Sequence, residues 1–179
     1  VDFIIPLLTN NCPELAWLQV DFSHHSTLDF FSSVLEHPGN KVKVLDMPEY
    51  NKGDIPRFFA ALGQSQVLAL TLSNSGSPEF FRGLCKYLAK DLLVRLEVGM
   101  SYEVPSEVMM SLASCTHLDQ LRVFEGGFSE STAFAYFPKC ITKLVFDDCP
   151  FADGFDWSFL TDSNVRELDL DRADGVEGI

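Results

Sequence analysis

One short apolar pattern, L-x-x-L-x-L with other apolar residues at some positions, returns seven times along the chain. The matches are Leu15-Leu18-Val20, Val42-Leu45-Met47, Val67-Leu70-Leu72, Leu93-Leu96-Val98, Leu118-Leu121-Val123, Ile141-Leu144-Phe146 and Val165-Leu168-Leu170. Their middle members are separated by 27, 25, 26, 25, 23 and 24 residues. Because alternating apolar residues are typical of a strand with one buried face, the pattern predicts seven short strands at 15–20, 42–47, 67–72, 93–98, 118–123, 141–146 and 165–170.

The segments between these strands carry apolar residues three and four apart, which is typical of amphipathic helices. The predicted helical runs are Leu28–Leu35, Phe58–Leu62, Phe80–Leu88 and Val108–Leu112. The sequence Ser77-Pro78-Glu79 is a helix-start signal just before the third run. The last two connections, around Phe134–Phe137 and Phe155–Leu160, are shorter, and we expect single turns or 3-10 segments there.

Steps near 25 residues fall within the range of leucine-rich repeats and below the roughly 30 residues that a βαβ unit of a doubly wound sheet needs. No G-x-G-x-x-G or Walker loop follows any predicted strand. The sequence therefore predicts one α/β domain over residues 1–179, a leucine-rich-repeat solenoid of about seven βα repeats. A parallel sheet would line its concave side and helices its convex side.

The run from Cys12 to Val20 resembles the turn and strand of cysteine-containing leucine-rich repeats, the ribonuclease-inhibitor-like group that includes many F-box substrate receptors. Cys115 has the same offset, six residues before its middle leucine, and Cys140 lies four before its own. The usual Asn or Cys three residues after the last strand position occurs here only as Cys149. The resemblance implies this repeat type over almost the whole chain. Solenoids usually end in atypical capping repeats, and the ends of this sequence fit a fragment of a longer chain.

The formal net charge is −13, and residues 147–179 hold ten acids against Arg166 and Arg172. Nucleic acids and anionic membranes are normally bound by clustered Lys and Arg, so we expect neither as a partner. A protein with a basic surface fits this charge better. The alternative interpretation is that the excess acid only keeps the chain soluble.

The five cysteines form an odd set without a C-x-x-C pair, which predicts free thiols with a structural role. None of the six asparagines begins an N-x-Ser/Thr sequon. Together these features favour an intracellular protein, cytoplasmic or nuclear.

Residues on either side of the last two apolar positions of each strand should point onto the concave face. Across the strands, Trp17, Val44 and Ala69 would form an apolar row, followed by a mixed-charge centre and an acidic end. The predicted partner-binding residues are Trp17, Asp46, Arg95, Glu97, Arg122, Phe124, Asp147, Asp169 and Asp171. The alternatives are that another segment covers Trp17, and that Arg95 and Arg122 only neutralise Glu97 and Glu125.

We expect no catalytic, cofactor-binding or metal-binding residues, because the sequence has no nucleophile elbow and no metal-ligand spacing. The favoured function is a protein-binding scaffold or adaptor that uses the concave face. Other functions compatible with the sequence are substrate recognition in an F-box-type ubiquitin ligase, a structural subunit of a larger assembly, and a host-targeted effector.

Overall fold

The computed structural model describes residues 12, 14–19, 28–47, 53–72, 77–99, 106–128, 134–135 and 137–172. In this part of the chain, seven strands form a single open sheet in which all neighbours are parallel and follow chain order. The strands are Trp17–Gln19 (β1), Val44–Met47 (β2), Ala69–Leu72 (β3), Arg95–Gly99 (β4), Gln120–Phe124 (β5), Lys143–Asp147 (β6) and Glu167–Asp171 (β7). The helices are Leu28–Glu36 (α1), Ile55–Leu62 (α2), Pro78–Leu88 (α3) and Ser106–Leu112 (α4). The prediction of an α/β fold with a parallel sheet is confirmed.

Each strand begins two residues after the first apolar position of its sequence pattern. Val67 and Leu93, for example, are 1% and 2% exposed, although β3 and β4 begin only at Ala69 and Arg95. The first apolar residue therefore lies in the turn that leads into the strand, and in β2 to β7 the last two apolar positions belong to the strand.

Main-chain hydrogen bonds join successive repeats just before each strand. The carbonyl of Lys43 accepts from the N–H groups of Leu68 (2.8 Å) and Ala69 (3.0 Å) in the next repeat. The carbonyl of Leu68 accepts in the same way from Val94 and Arg95. The same double acceptance occurs at Ala16, Val94, Asp119 and Thr142. We call these six carbonyls the double acceptors.

One face of the sheet is buried against the helices in a single hydrophobic core. The middle leucines of β1 to β6 are at most 7% exposed, and Phe31, Phe58 and Phe80 of the first three helices are completely buried. Helix starts are fixed locally: the Asp54 carboxylate accepts from Arg57 N–H before α2, and the Ser77 hydroxyl accepts from Phe80 N–H before α3. The start signal predicted at Ser77 is confirmed.

Aromatic packing takes the place of long helices in the last two repeats. The rings of Phe128, Phe134, Phe146, Phe151 and Phe155 pack edge to face or stacked, with centroids as close as 4.8 Å. The connection before β7 contains only a 3-10 helix at Ser158–Leu160, which confirms the short segment predicted there. Part of the other short connection, residues 129–133 and 136, lies outside the described residues.

None of the helices in the described ranges is long and apolar enough to cross a membrane.

Candidate functional site

The sheet face opposite the core, which we call the open face, carries side chains aligned in rows. Parallel in-register pairing places equivalent residues of neighbouring repeats side by side. The first row is Trp17, Val44, Ala69, Arg95, Gln120, Lys143 and Glu167. The second row is Gln19, Asp46, Thr71, Glu97, Arg122, Val145 and Asp169. Gly99, Phe124, Asp147 and Asp171 continue a third row at the carboxyl ends of β4 to β7.

The β1 end of the first row is apolar and open to solvent. Trp17 is 60% exposed, and register places it beside Val44, which in turn pairs with Ala69. The structure therefore brings together the apolar row predicted from the sequence. In the chain as described here, no other segment covers the Trp17 ring.

Three more exposed apolar residues lie next to this row, and the sequence analysis did not select them. Leu68, Leu92 and Val94 are 41%, 40% and 42% exposed, just before β3 and β4. Leu68 and Val94 lie on adjacent repeats, because Val94 N–H donates to the Leu68 carbonyl at 2.8 Å. Of the five large hydrophobic residues found exposed in the described ranges, four lie at or just before the start of β1, β3 or β4. We define the apolar edge patch as Trp17, Val44, Leu68, Ala69, Leu92 and Val94.

A chain of alternating charges occupies the centre of the open face. Arg122 Nη2 lies 2.5 Å from Asp147 Oδ2, and its Nη1 lies 3.6 Å from Glu97 Oε2. Arg95 Nε lies 3.7 Å from the other oxygen of Glu97, and Arg172 Nη2 lies 2.7 Å from the other oxygen of Asp147. We call these five residues the central ion network. It joins β4, β5, β6 and the residue after β7.

Charge and burial in this network shift the pKa values of its members. Hydrogen bonds from Arg122 and then from Arg172 hold the pKa of Asp147 below its usual range, despite the burial of that carboxylate. The hydrogen bond to Asp147 correspondingly raises the pKa of Arg122. On β2, burial and repulsion from Glu97 raise the pKa of Asp46, against a smaller opposing effect of Arg95.

The two central arginines keep some unused hydrogen-bonding capacity. The Nε atoms of Arg95 and Arg122 are buried and have no hydrogen-bond partner in the described part of the chain. The guanidinium of Arg122 also lies 5.7 Å from the ring centroid of Phe124, within range of a cation–π contact. The Phe124 ring in turn lies against Gly99, where an added Cβ would come within 2.2 Å of the ring.

The β6–β7 side of the open face ends in carboxylates. Lys143 pairs with Glu167, and Asp171 lies 3.7 Å from Arg172. Asp169 and Asp171 are exposed. A shallow cavity of about 390 Å³ runs from Arg95 across Arg122 to these two residues. Six of the nine predicted partner-binding residues line this cavity: Arg95, Glu97, Arg122, Asp147, Asp169 and Asp171. Asp46 lies on β2, outside the cavity, and Trp17 lies in the apolar edge patch.

A carboxylate outside the open face ties two turns together. Asp91 Oδ1 accepts from Thr116 N–H at 2.6 Å, and Asp91 Oδ2 accepts from the Thr116 hydroxyl at 2.5 Å and contacts His117 Nδ1 at 3.0 Å. These bonds, led by that of the Thr116 hydroxyl, lower the pKa of Asp91 to about 2. The sequence analysis missed this contact, because Asp91 and Thr116 are 25 residues apart and share no motif.

Metal ligands and thiols are the next groups to consider. Within the described ranges, no group of three or more His, Cys, Asp or Glu side chains is placed to hold a metal ion. The cysteines carry free thiols, and Cys115 and Cys149 are buried. Burial raises the pKa of Cys115 to about 12, which keeps its thiol protonated at neutral pH.

The open face thus combines apolar area at the β1 end, paired charges at its centre and exposed carboxylates at the β7 end. The sequence matches no model of a known protein family, and no curated protein is detectably similar to it.

Proposed function

We propose that this chain is a leucine-rich-repeat solenoid of the cysteine-containing, ribonuclease-inhibitor-like type. Three features support the proposal: repeat steps of 23 to 27 residues, a parallel sheet in strict chain order, and main-chain bonds between successive repeats. Cys149 adds a fourth, because its thiol donates to the Val123 carbonyl of the preceding repeat at 3.4 Å. In such a solenoid the open face is the concave side.

The function that fits this surface best is a protein-binding scaffold or adaptor. The observation that carries the proposal is the apolar edge patch: Trp17 is 60% exposed at the start of β1, and three large aliphatic side chains just before β3 and β4 are each at least 40% exposed. Clustered exposed apolar residues with a polar surround are typical of protein–protein contact sites, and Trp is enriched among binding hot spots. Solubility does not explain this much exposed apolar surface, because exposed apolar side chains do not make a protein more soluble.

The charges on the same face support a partner with basic side chains. The Asp147 carboxylate already forms ion pairs with Arg122 and Arg172, whereas the carboxylates of Asp169 and Asp171 are exposed at the β7 end. A partner segment would place apolar residues over the apolar edge patch and Lys or Arg toward β7. Electrostatic complementarity of this kind mainly sets specificity and association rate.

We propose a non-catalytic role inside the cell. The free thiols, two of them buried, suit a reducing compartment. The raised pKa values of Cys115, Cys140 and Cys149 leave these thiols poor nucleophiles at neutral pH.

The test is affinity purification from source cells with a patch variant and a matched control. The patch variant carries Trp17→Ser, Leu68→Ser and Val94→Ser, and the control carries Met110→Ser, which removes a 56% exposed apolar side chain from α4. We expect a partner that the parent and the control retain equally and the patch variant loses, in a reconstituted complex as well as in the pulldown. Equal retention by all three proteins, at equal thermal stability, would contradict the proposal.

A further inference from the structure

A groove on the helical side of the sheet lies between α2 and α3, away from the open face. Its cavity volume is about 410 Å³. Phe59 and Tyr87, both largely buried, line it together with Ile55, Pro56 and Ala60, so its inner surface is mainly apolar. The Tyr87 hydroxyl donates to the Val67 carbonyl at 3.3 Å, which holds that ring in place.

The groove owes its shape to a close approach of the two helices at Gly83. An added Cβ at Gly83 would lie 2.2 Å from Cδ2 of Phe59. Phe59 in turn packs edge to face on Phe80, with ring centroids 5.0 Å apart. The inner surface of the groove is therefore rigid, since the aromatic side chain that forms it is held by the core.

The α3 side of the groove is basic, although the protein as a whole is strongly acidic. Arg82, Lys86 and Lys90 line it, and Glu79 is the one acid among the lining residues. The lining residues thus include three basic side chains and one acidic side chain, in a chain whose formal net charge is −13. Arg82 and Lys86 lie one helical turn apart on α3, and Lys90 follows in the turn just after the helix ends at Leu88. Lys90 is also fixed at its end, because its Nζ donates to the Gly63 carbonyl at 3.0 Å.

We propose that the groove between α2 and α3 binds an acidic amphipathic helix of a partner protein. Carboxylates four residues apart along such a helix would face Arg82, Lys86 and Lys90, and its apolar residues would pack on Phe59, Ala60 and Tyr87. A groove between two helices accepts a third helix by the same packing of side-chain ridges into grooves that joins helices in a core. This site is separate from the open face and does not depend on the function proposed for it.

The probe is a fluorescein-labelled synthetic peptide of about 16 residues, with Leu along one face and Glu on one flank of that face. Its control peptide carries Gln in place of every Glu, which keeps the apolar face and removes the charge. Binding to the full chain is measured by fluorescence anisotropy at low and high salt. We expect the Glu peptide to bind, the Gln peptide to bind about tenfold more weakly, and the difference to shrink at high salt.

Two variants act on the groove and two leave it intact. Lys86→Glu reverses one charge and Ala60→Trp fills the apolar part, and we expect each to weaken binding of the Glu peptide about tenfold or more. Lys139→Glu makes the same charge change at an exposed lysine outside the groove, and the Trp17→Ser, Leu68→Ser, Val94→Ser protein alters only residues that do not line the groove. We expect both to bind the peptide like the parent.

Several results would overturn the proposal. These are no binding by the parent, equal binding of the Glu and Gln peptides, or unchanged binding by both folded groove variants. Displacement of the peptide by oleate at equal concentration would assign the groove to a lipid, and a dimer in sedimentation that Lys86→Glu dissociates would assign it to a second copy of the chain.

Discussion

Arg122 Nη2 donates to Asp147 Oδ2 at 2.5 Å, across two neighbouring strands of the open face. Arg172, just after β7, donates to the second oxygen of the same carboxylate at 2.7 Å. Asp147 is thus held between two guanidinium groups, and its side chain is only 13% exposed. The role of this carboxylate is to fix the positions of the two arginines relative to each other.

Replacing Asp147 with Ala should lower the free energy of unfolding by about 2 kcal/mol, because it leaves Arg122 without its shortest ion pair and partly buried. Chemical denaturation measures the change. Asp148→Asn is the control, since Asp148 is 59% exposed, reaches Arg172 only at 4.0 Å and has a positive φ that Asn tolerates, so we expect a loss below about 0.5 kcal/mol. Equal losses in the two variants would contradict the importance of the Arg122–Asp147 pair.

Asp91 should make folding stability sensitive to acid. Its folded pKa of about 2 lies below its ordinary value of 3.8, so the ionised form is favoured by folding. The stabilisation is complete above about pH 5 and is lost progressively as the pH falls through 3.8 and then through the folded pKa, down to about pH 1. Denaturation curves recorded across this range should therefore show a smaller acid loss for Asp91→Asn than for the parent. A parallel acid loss in the two proteins would show that the contacts with Thr116 do not stabilise the fold, and Asp148→Asn serves as the control.

Gly83→Ala should destabilise the protein by about 1 kcal/mol. An alanine favours the helix by up to about 1 kcal/mol, but its Cβ would overlap the Phe59 ring, and overpacking in a fixed core costs about 1 to 3 kcal/mol. In a Phe59→Leu background the same change should become neutral or stabilising. Thermal denaturation of the parent, the two single variants and the double variant measures this difference. Gly127→Ala is the control, because its nearest neighbour, Pro150, is 3.9 Å from the added Cβ.

The cysteines should differ widely in reactivity. With iodoacetamide at pH 8, Cys12 is exposed and should react first, whereas Cys115 and Cys149, 5% and 0% exposed, should react only after unfolding. Peptide mass spectrometry of timed samples gives the rate at each site. Comparable rates at Cys12 and Cys115 in the native protein would be inconsistent with the burial that raises the Cys115 pKa.

The strands and their rows could be predicted from sequence because both follow from local periodicity. Leu45, Leu70 and Leu96 are buried at the middle of their patterns, and Asp46, Thr71 and Glu97 align as the second row of the open face. The repeat spacing alone sets this register, since each repeat adds one parallel strand.

The ion pairs and side-chain hydrogen bonds between repeats could not be predicted, because they depend on which side chains lie close together in the folded chain. Arg172 reaches back to Asp147 from beyond β7, and Asp91 binds Thr116 across two turns. Leu68 and Val94 fall outside the apolar pattern, so that pattern does not assign them to the core or to the surface. A signal was present, however: Val67-Leu68 and Leu92-Leu93-Val94 are apolar runs longer than the pattern requires.

The double acceptors have a consequence for how arrays of this kind change in length. At each junction, from Ala16 to Thr142, one carbonyl holds two N–H groups of the next repeat, and only main-chain atoms take part. Such a joint is the same whatever side chains flank it, so a whole unit can be duplicated or excised and the remaining units can rejoin. The open face can then gain or lose a column of side chains while the main-chain bonds between repeats stay the same, because each unit contacts mainly its neighbours.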